Sequence, residues 1–181
     1  MLSDALGSLF FVTLFLVRVE QGTQGSLTAW FLAAQSAVVT VRIIFRQPAA
    51  KSSPWPIQMI AWLSAIAPLA MIVTGITWFP IPGLALSLWS LFALGDAFSI
   101  SPADRGLVRR GPYRLLRHPM YAGELLSLLG LCLASSSIWN WTILAVFGVS
   151  IYRRIVEEET LLNGYYRYMR ETKWRLLPGI W

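Results

Sequence analysis

The chain has 181 residues, of which 56% are hydrophobic and only 13% are charged, about half the charged share of a soluble domain. This composition excludes an ordinary soluble domain and predicts a helical membrane protein. The net charge is +6, and because the basic residues lie beside apolar runs, we expect them to contact anionic lipid headgroups rather than nucleic acid.

Six apolar segments follow one another along the chain. The first four, at residues 3–19, 27–45, 57–79 and 83–100, are long enough to cross a bilayer as helices. Pro68 lies inside the third of them and is expected to kink that helix. The last two, at 120–134 and 138–152, are shorter and are separated by three serines, which predicts a transmembrane helical hairpin.

Connections between the spans alternate along the chain: one that contains lysine or arginine is followed by one that contains neither. Lysine and arginine occur after the second span, in the loop at 101–119 and in the C-terminal tail, and the turns at 20–26, 80–82 and 135–137 have none. By the positive-inside rule the N-terminus, the basic loop and the tail are cytoplasmic. The predicted fold is therefore all-α: a membrane bundle of about four spans, a C-terminal transmembrane hairpin and a cytosolic amphipathic tail, in a bacterial or archaeal inner membrane.

The segment 111–123, GPYRLLRHPMYAG, joins the basic loop to the hairpin and contains the chain's single histidine. His118 is predicted at a helix N-terminus, which favours an anion, and Tyr121 and Glu124 share its helix face. Arg114 and Arg117 are expected to face the headgroups. Two interpretations stay open: a binding site, or a cluster of charged side chains that anchors the hairpin.

A second group of polar residues, Glu157, Glu158 and Glu159, follows the hairpin. These acids form either a solvated helix start paired with arginines or an acidic wall for a cationic or hydroxyl-rich ligand. Because a hairpin returns the chain to the side that it left, we expect His118 and Tyr121 to lie within reach of the same ligand as Glu158 and Glu159. The lone Cys132 predicts neither a disulfide framework nor a metal site.

The chain resembles the isoprenylcysteine carboxyl methyltransferase and phospholipid methyltransferase superfamily over roughly residues 89–179. The resemblance is carried by the stretch LGDAFSISPADRGLVRRGPY, the segment 111–123, the acids at 157–159, and the strings YYRY and LLPG. The resemblance implies an integral-membrane methyltransferase that binds S-adenosylmethionine in a cytosol-facing pocket and takes an apolar acceptor from the bilayer. It departs at residues 162–164, where the family usually has a longer turn with Phe-Gly, so a smaller closing segment is expected. Residues that match the family's cofactor-binding positions are His118, Pro119, Tyr121, Gly123, Glu158, Tyr165 and Tyr168.

The expected chemistry depends on the acceptor, which stays open between a carboxylate, an amine and a thiol. A carboxylate needs only an arginine to orient it, and the candidates are Arg117 and Arg154. An amine or a thiol must lose a proton, and the candidates for the base are Glu124 and Glu159.

Because the sequence has no internal repeat and no low-complexity segment, we expect a single domain over residues 1–181, with N-terminal spans at 1–82 and a cofactor-binding half at 83–181. Membrane lipids and a lipid-like acceptor are the expected partners, and no metal is predicted. Two alternatives are retained: an NADPH-dependent membrane reductase of the sterol type, and a non-catalytic membrane scaffold.

Overall fold

The computed structural model describes residues 2–72, 78–135 and 137–181. Within these residues, two short strands, β1 (Lys51–Ser52) and β2 (Ala103–Asp104), pair antiparallel and link the two polar loops. Everything else is helix or loop, so the prediction of an all-α protein is confirmed. The α-helices are α1 (Leu2–Thr23), α2 (Leu27–Phe45), α3 (Trp55–Ile66), α4 (Ile81–Leu94), α5 (Pro119–Ala134), α6 (Ile138–Leu161) and α7 (Tyr165–Glu171).

The helices begin where the sequence supplies caps and prolines. Ser26 caps α2, and its hydroxyl oxygen accepts a hydrogen bond of 3.2 Å from the Ala29 amide. Proline occupies the first turn of α3, α4 and α5, where its missing N–H costs nothing and its fixed φ suits the helix. These local signals explain why the predicted helix starts agree closely with the observed ones.

The third predicted span differs from the structure at Pro68. The α-helix α3 ends at Ile66, a 3₁₀ turn follows over Ala67–Ala70, and Met71 is extended. The proline therefore ends the helix rather than kinking it, because it cannot donate the backbone hydrogen bond that would continue it. Asn140 of α6 bonds both the amide and the carbonyl of Ile72, at 2.9 and 2.8 Å. The predicted positions 73–77 lie outside the described residues.

Helices α1 and α2 are long and apolar enough to cross a membrane, over Ala5–Thr23 and Leu27–Phe45. The apolar helices at Trp55–Ala70, Ile81–Ala97 and Pro119–Ala134 are shorter. Large apolar side chains such as Leu9 and Leu16 are more than half exposed, which suits contact with lipid and not with water. The predicted number of spans and their orientation stay predictions.

Small residues bring α4 and α5 into close backbone contact. Gly83 and Ser87 on α4 face Gly123 and Ser127 on α5, and each pair is spaced by four residues, as in membrane helices that pack on small side chains. A Cβ atom at Gly123 would lie 2.5 Å from the Ser87 amide nitrogen, and one at Gly83 would lie 2.3 Å from the Ser127 amide nitrogen. Gly123 therefore sets the distance between these two helices.

Replacing Gly123 by valine is expected to lower the free energy of unfolding by about 1–3 kcal/mol, because the side chain forces α4 and α5 apart. The matched control is Gly148→Val on α6, where an added Cβ meets nothing within 4 Å. Thermal unfolding in detergent measures both variants. Equal melting temperatures for the two variants would contradict the close-packing role of Gly123.

Helix α6 is longer than predicted and continues past residue 152 to Leu161, so that the three adjacent glutamates lie on it. After α7 the chain returns across the start of α5 as a C-terminal strap, defined here as residues 172–181. The Arg117 amide donates to the Trp174 carbonyl at 2.8 Å, and the His118 amide donates to the Arg175 carbonyl at 3.0 Å. The strap therefore holds in place the backbone of segment 111–123, which is called the motif from here on.

Candidate functional site

His118 immediately precedes α5 and is 4% exposed. Its ring stacks on Tyr121, one helical turn later, with centroids 5.7 Å apart and planes 15° from parallel. Its Nε2 atom lies 3.2 Å from Glu159 Oε1 and 3.3 Å from the Tyr165 hydroxyl oxygen. The structure thus places His118 at the start of the hairpin, as the sequence predicts, and joins it to residues more than 40 positions later.

Glu159 is the centre of this polar network. Arg175 of the strap donates to both of its oxygens, at 2.9 and 2.7 Å, and Tyr165 donates to Oε1 at 2.7 Å. Arg117 forms an ion pair with the same oxygen at 3.3 Å. Burial alone would raise the pKa of Glu159, but the hydrogen bonds from His118, Arg175 and Tyr165 outweigh it, and the pKa lies well below the usual carboxyl value. Glu159 is therefore held ionised and is a poor proton acceptor.

The pH dependence of stability follows from that lowered pKa. A carboxylate whose pKa is lower in the folded than in the unfolded state stabilises the protein at any pH above the unfolded pKa, which is about 4.5. This contribution is lost as the pH falls from that value toward the folded pKa. The difference in melting temperature between the wild type and Glu159→Gln is expected to be constant from pH 8 to about 5 and to shrink below that. Thermal unfolding of both proteins across this range measures it. A difference that grows toward low pH would contradict the assignment.

Arg117 and Tyr165 complete the network on the strap side. The Arg117 side chain is only 7% exposed, and its Nη2 donates to the Lys173 carbonyl at 3.3 Å. The expectation that Arg117 faces the headgroups is wrong, because the strap covers it. Burial and the hydrogen bond to Glu159 raise the pKa of Tyr165 well above that of a free tyrosine. Arg117 therefore connects Glu159 to the strap, and Tyr165 connects Glu159 to α7.

Tyr168 holds the first part of the motif through its backbone carbonyls. Its hydroxyl donates to the Tyr113 carbonyl at 2.6 Å and approaches the Leu116 carbonyl at 3.3 Å, and the residue is 2% exposed. Burial raises the pKa of Tyr168 to about 12. The hydroxyl is therefore a neutral donor committed to the loop backbone.

A small cavity of about 30 Å³ lies beside His118. Tyr121 and Glu158 line it together with Tyr113, and the Tyr121 hydroxyl donates to Glu158 Oε2 at 2.9 Å. In the described part of the chain, the other oxygen of Glu158 accepts no hydrogen bond. The acidic residue that borders the cavity is thus Glu158, and its neighbour Glu159 belongs to the network behind it.

A larger cavity of about 660 Å³ lies among the first six helices, α1 to α6. Its walls are mostly apolar, with Arg18, Gln21 and Gln24 at the end near the turn between α1 and α2. Glu124 and Arg154 line it at the end near the motif. Glu124 Oε2 is buried without a hydrogen-bond partner in the described structure. A carboxylate in that state is costly unless a ligand or a proton occupies it, so this oxygen points to a binding function.

Arg154 is fixed at the wall of the large cavity. Its Nη1 donates to Ser64 Oγ at 3.1 Å, its Nη2 donates to the Ile100 carbonyl at 2.6 Å, and the guanidinium lies 4.8 Å from the centre of the Tyr121 ring. Its Nε has no partner among the described residues. Arg154 therefore connects α6 to α3 and to the loop after α4, and its Nε donor stays unpaired among the described residues.

The ten predicted site residues fall into four groups. His118, Tyr121 and Glu158 line the small cavity, and Arg154 lines the large one. Arg117, Glu159 and Tyr165 form the network behind the small cavity. Residues that line neither cavity and support the loop or the helix contact are Pro119, Gly123 and Tyr168. Contact of any of these residues with a ligand stays a prediction.

Two residues of the site were not predicted from the sequence. Arg175 binds Glu159 from the strap, and its only signal was its place in a basic tail. Met120 lines both cavities, but as one methionine in an apolar helix it gave no signal.

Together, the fold and the site define a helical membrane protein with a buried polar cluster at one face and an adjoining cavity among its helices. The chain belongs to the phospholipid methyltransferase family, whose model matches residues 63–168, more than half of the chain. The predicted resemblance is thereby confirmed, and with it a methyltransferase class that acts on lipid-like substrates. The matched range includes the motif and the paired acids and ends before the strap. No curated protein matches the chain.

Proposed function

We propose that this protein transfers a methyl group from S-adenosylmethionine to a lipid-like acceptor, with the donor beside His118 and the acceptor in the large cavity. The observation that carries the proposal is the position of the polar cluster, which directly adjoins an apolar cavity large enough for a small ligand. When bound, the cofactor supplies a methyl group activated on a sulfonium. The family match supports a methyltransferase over a sterol-type reductase.

The groups around the small cavity fit the polar parts of that cofactor. The oxygen of Glu158 that accepts no hydrogen bond suits an ammonium or a ribose hydroxyl, and the N-terminus of α5 suits a carboxylate. The rings of His118 and Tyr121 offer flat apolar faces. A cavity of about 30 Å³ holds about one water molecule. We therefore propose that this cavity widens when the cofactor binds.

Glu124 is the proposed base, in preference to Glu159. Glu159 accepts hydrogen bonds from Arg175 and Tyr165 and has a lowered pKa, so it has little capacity to take a proton. Glu124 lines the large cavity, and its Oε2 is free of partners in the described structure. A carboxylate there accepts the proton that an amine or a thiol loses as its new bond to the methyl carbon forms and the bond from that carbon to sulfur breaks. It would repel a carboxylate acceptor.

The distribution of charge supports transfer at the cytoplasmic face. The basic loop at 101–119, the end of α6 and the strap carry most of the basic residues, and the turn between α1 and α2 carries neither lysine nor arginine. We therefore propose that the small cavity opens to the cytoplasm and that the large cavity extends from it into the bilayer.

Calorimetry on the purified protein in detergent tests the proposed cofactor. S-adenosylmethionine is expected to bind, and NADPH is not. Alanine at His118 or at Glu158 is expected to weaken binding of S-adenosylmethionine at least tenfold, with the melting temperature of the detergent-solubilised protein recorded for each variant. The control is Glu157→Ala, because Glu157 lines neither cavity and its carboxylate makes no hydrogen bond or ion pair with the described residues. Absence of binding by the wild type would refute the function and favour a scaffold.

Methyl transfer is then measured with labelled cofactor and three probes of equal chain length: dodecylamine, dodecanethiol and dodecanoic acid. The amine or the thiol is expected to be methylated in preference to the acid. Preferential labelling of the acid would overturn the role proposed for Glu124 and return the choice to Arg154.

A further inference from the structure

A thin wall separates the small cavity from the large one. The extended segment after α4 forms part of it, and its residues alternate between the two sides. Ser99 and Ser101 line the small cavity, and Phe98 and Ile100 line the large one. Alternation of this kind is what an extended backbone imposes on successive side chains. The segment is therefore a partition with one polar face and one apolar face.

Met120 forms a second part of the wall, and it is the one residue in the described part of the chain that lines both cavities. It is the second residue of α5 and is 7% exposed. On the same helix, Tyr121 lines the small cavity and Glu124 lines the large one. Met120 thus lies between the proposed donor side and the proposed acceptor side.

The other parts of the wall are fixed by their contacts. The Ile100 carbonyl accepts a hydrogen bond of 2.6 Å from Arg154, and the Tyr121 ring lies over the same guanidinium. Tyr121 is further held by Glu158 at 2.9 Å. A methionine side chain has three rotatable bonds and no polar atom that must be satisfied, so it rearranges at little cost. The movable part of the wall is therefore Met120.

We infer that Met120 is the positioning residue at the point of transfer, and that its side chain controls the contact between the acceptor and the methyl group. The inference rests on the proposed function. In-line displacement needs the reacting atoms about 3–3.5 Å apart, so nothing can remain between the two cavities during transfer. The thioether must turn aside when both sites are filled, and it keeps the donor side closed to lipid when the acceptor is absent.

Cysteine protection tests this position without using activity. Met120→Cys is made in a Cys132→Ser background, which removes the natural thiol. Its reaction rate with a small methanethiosulfonate reagent is measured alone, with S-adenosylmethionine and with dodecylamine. The controls are Ser99→Cys, which faces the small cavity, and Leu128→Cys, which faces the large one.

The thiol at position 120 is expected to react at least fivefold more slowly with either compound present. The thiol at 99 is expected to be protected by the cofactor alone, and the thiol at 128 by dodecylamine alone. Protection at 120 by only one compound, no reaction there at all, or no protection at 128 would each overturn the inference. Failure of the proposed function is distinct, because calorimetry on the wild type reports cofactor binding by itself.

Side-chain size at position 120 gives a second test. Met120→Phe is expected to lower the rate of methyl transfer at least tenfold, measured with the probe that the wild type methylates. Its affinity for S-adenosylmethionine is expected to change less than twofold. Met120→Leu, which conserves the volume, is the control and is expected to remain within threefold of the wild type. If phenylalanine leaves transfer unchanged, or lowers cofactor affinity by the same factor, the position is structural and the inference fails.

Discussion

Replacing Glu124 by glutamine is expected to lower the rate of methyl transfer by roughly 10²–10⁴-fold, the usual contribution of a positioned general base. The amide has nearly the same shape as the carboxyl group and fills the same place in the cavity wall, but it cannot accept a proton. The affinity for S-adenosylmethionine is expected to change little, because Glu124 lines the large cavity and not the small one. Single-turnover transfer of labelled methyl to dodecylamine measures the rate, and calorimetry measures the affinity.

The control for Glu124→Gln is Glu157→Gln, which removes a charge on α6 away from both cavities. Its transfer rate is expected to equal that of the wild type. The melting temperature of Glu124→Gln is expected to stay the same or rise, since a buried carboxylate without a partner is removed. Full transfer activity in Glu124→Gln would contradict this role. It would show that the acceptor needs no base, which is the behaviour expected of a carboxylate acceptor.

Replacing Glu159 by glutamine is expected to lower the free energy of unfolding by about 3–5 kcal/mol, the usual effect of removing one partner from a buried ion pair. Arg117 and Arg175 would lose their common counter-ion, and the Arg117 side chain is only 7% exposed. For a chain of this size the melting temperature is expected to fall by roughly 10 °C. Thermal unfolding at pH 7 measures this, with Glu157→Gln again as the control.

The same substitution is expected to release the strap. Arg175 is bound to Glu159 by two hydrogen bonds, and the backbone of residues 174 and 175 pairs with the motif. Limited digestion with trypsin is expected to cleave after Lys173 several times faster in Glu159→Gln than in the wild type. Equal cleavage rates together with an unchanged melting temperature would show that Glu159 does not hold the strap.

These two glutamates illustrate how similar residues take different roles through their surroundings. Glu159 has several donors around it and is fixed as an anion. Glu124 lies one helical turn deeper than Tyr121, faces an apolar cavity and has a free oxygen. The first is suited to hold the strap over the motif, and the second is suited to act on a ligand. Sequence spacing alone made them equal candidates for the base.

Local signals account for the part of the fold that was predicted correctly. Prolines and the Ser26 cap mark helix starts, and these devices act within one turn of the chain. The apolar runs predict the helices because a membrane requires backbone groups to be satisfied within each segment. The same rules failed at Pro68, where Asn140 from a distant helix bonds the freed backbone at Ile72. An interaction across 68 positions has no local signature.

The sequence by itself determined an all-α membrane protein, the family and the meeting of the motif with the paired acids, because apolar length, basic loops and a specific string of residues are local properties. The tertiary structure decided which acid does what. It bound Glu159 to the strap through Arg175, placed Gly123 against α4, and put Met120 between the two cavities. These assignments depend on which side chains of distant segments come within a few ångströms of each other, and packing alone sets those distances.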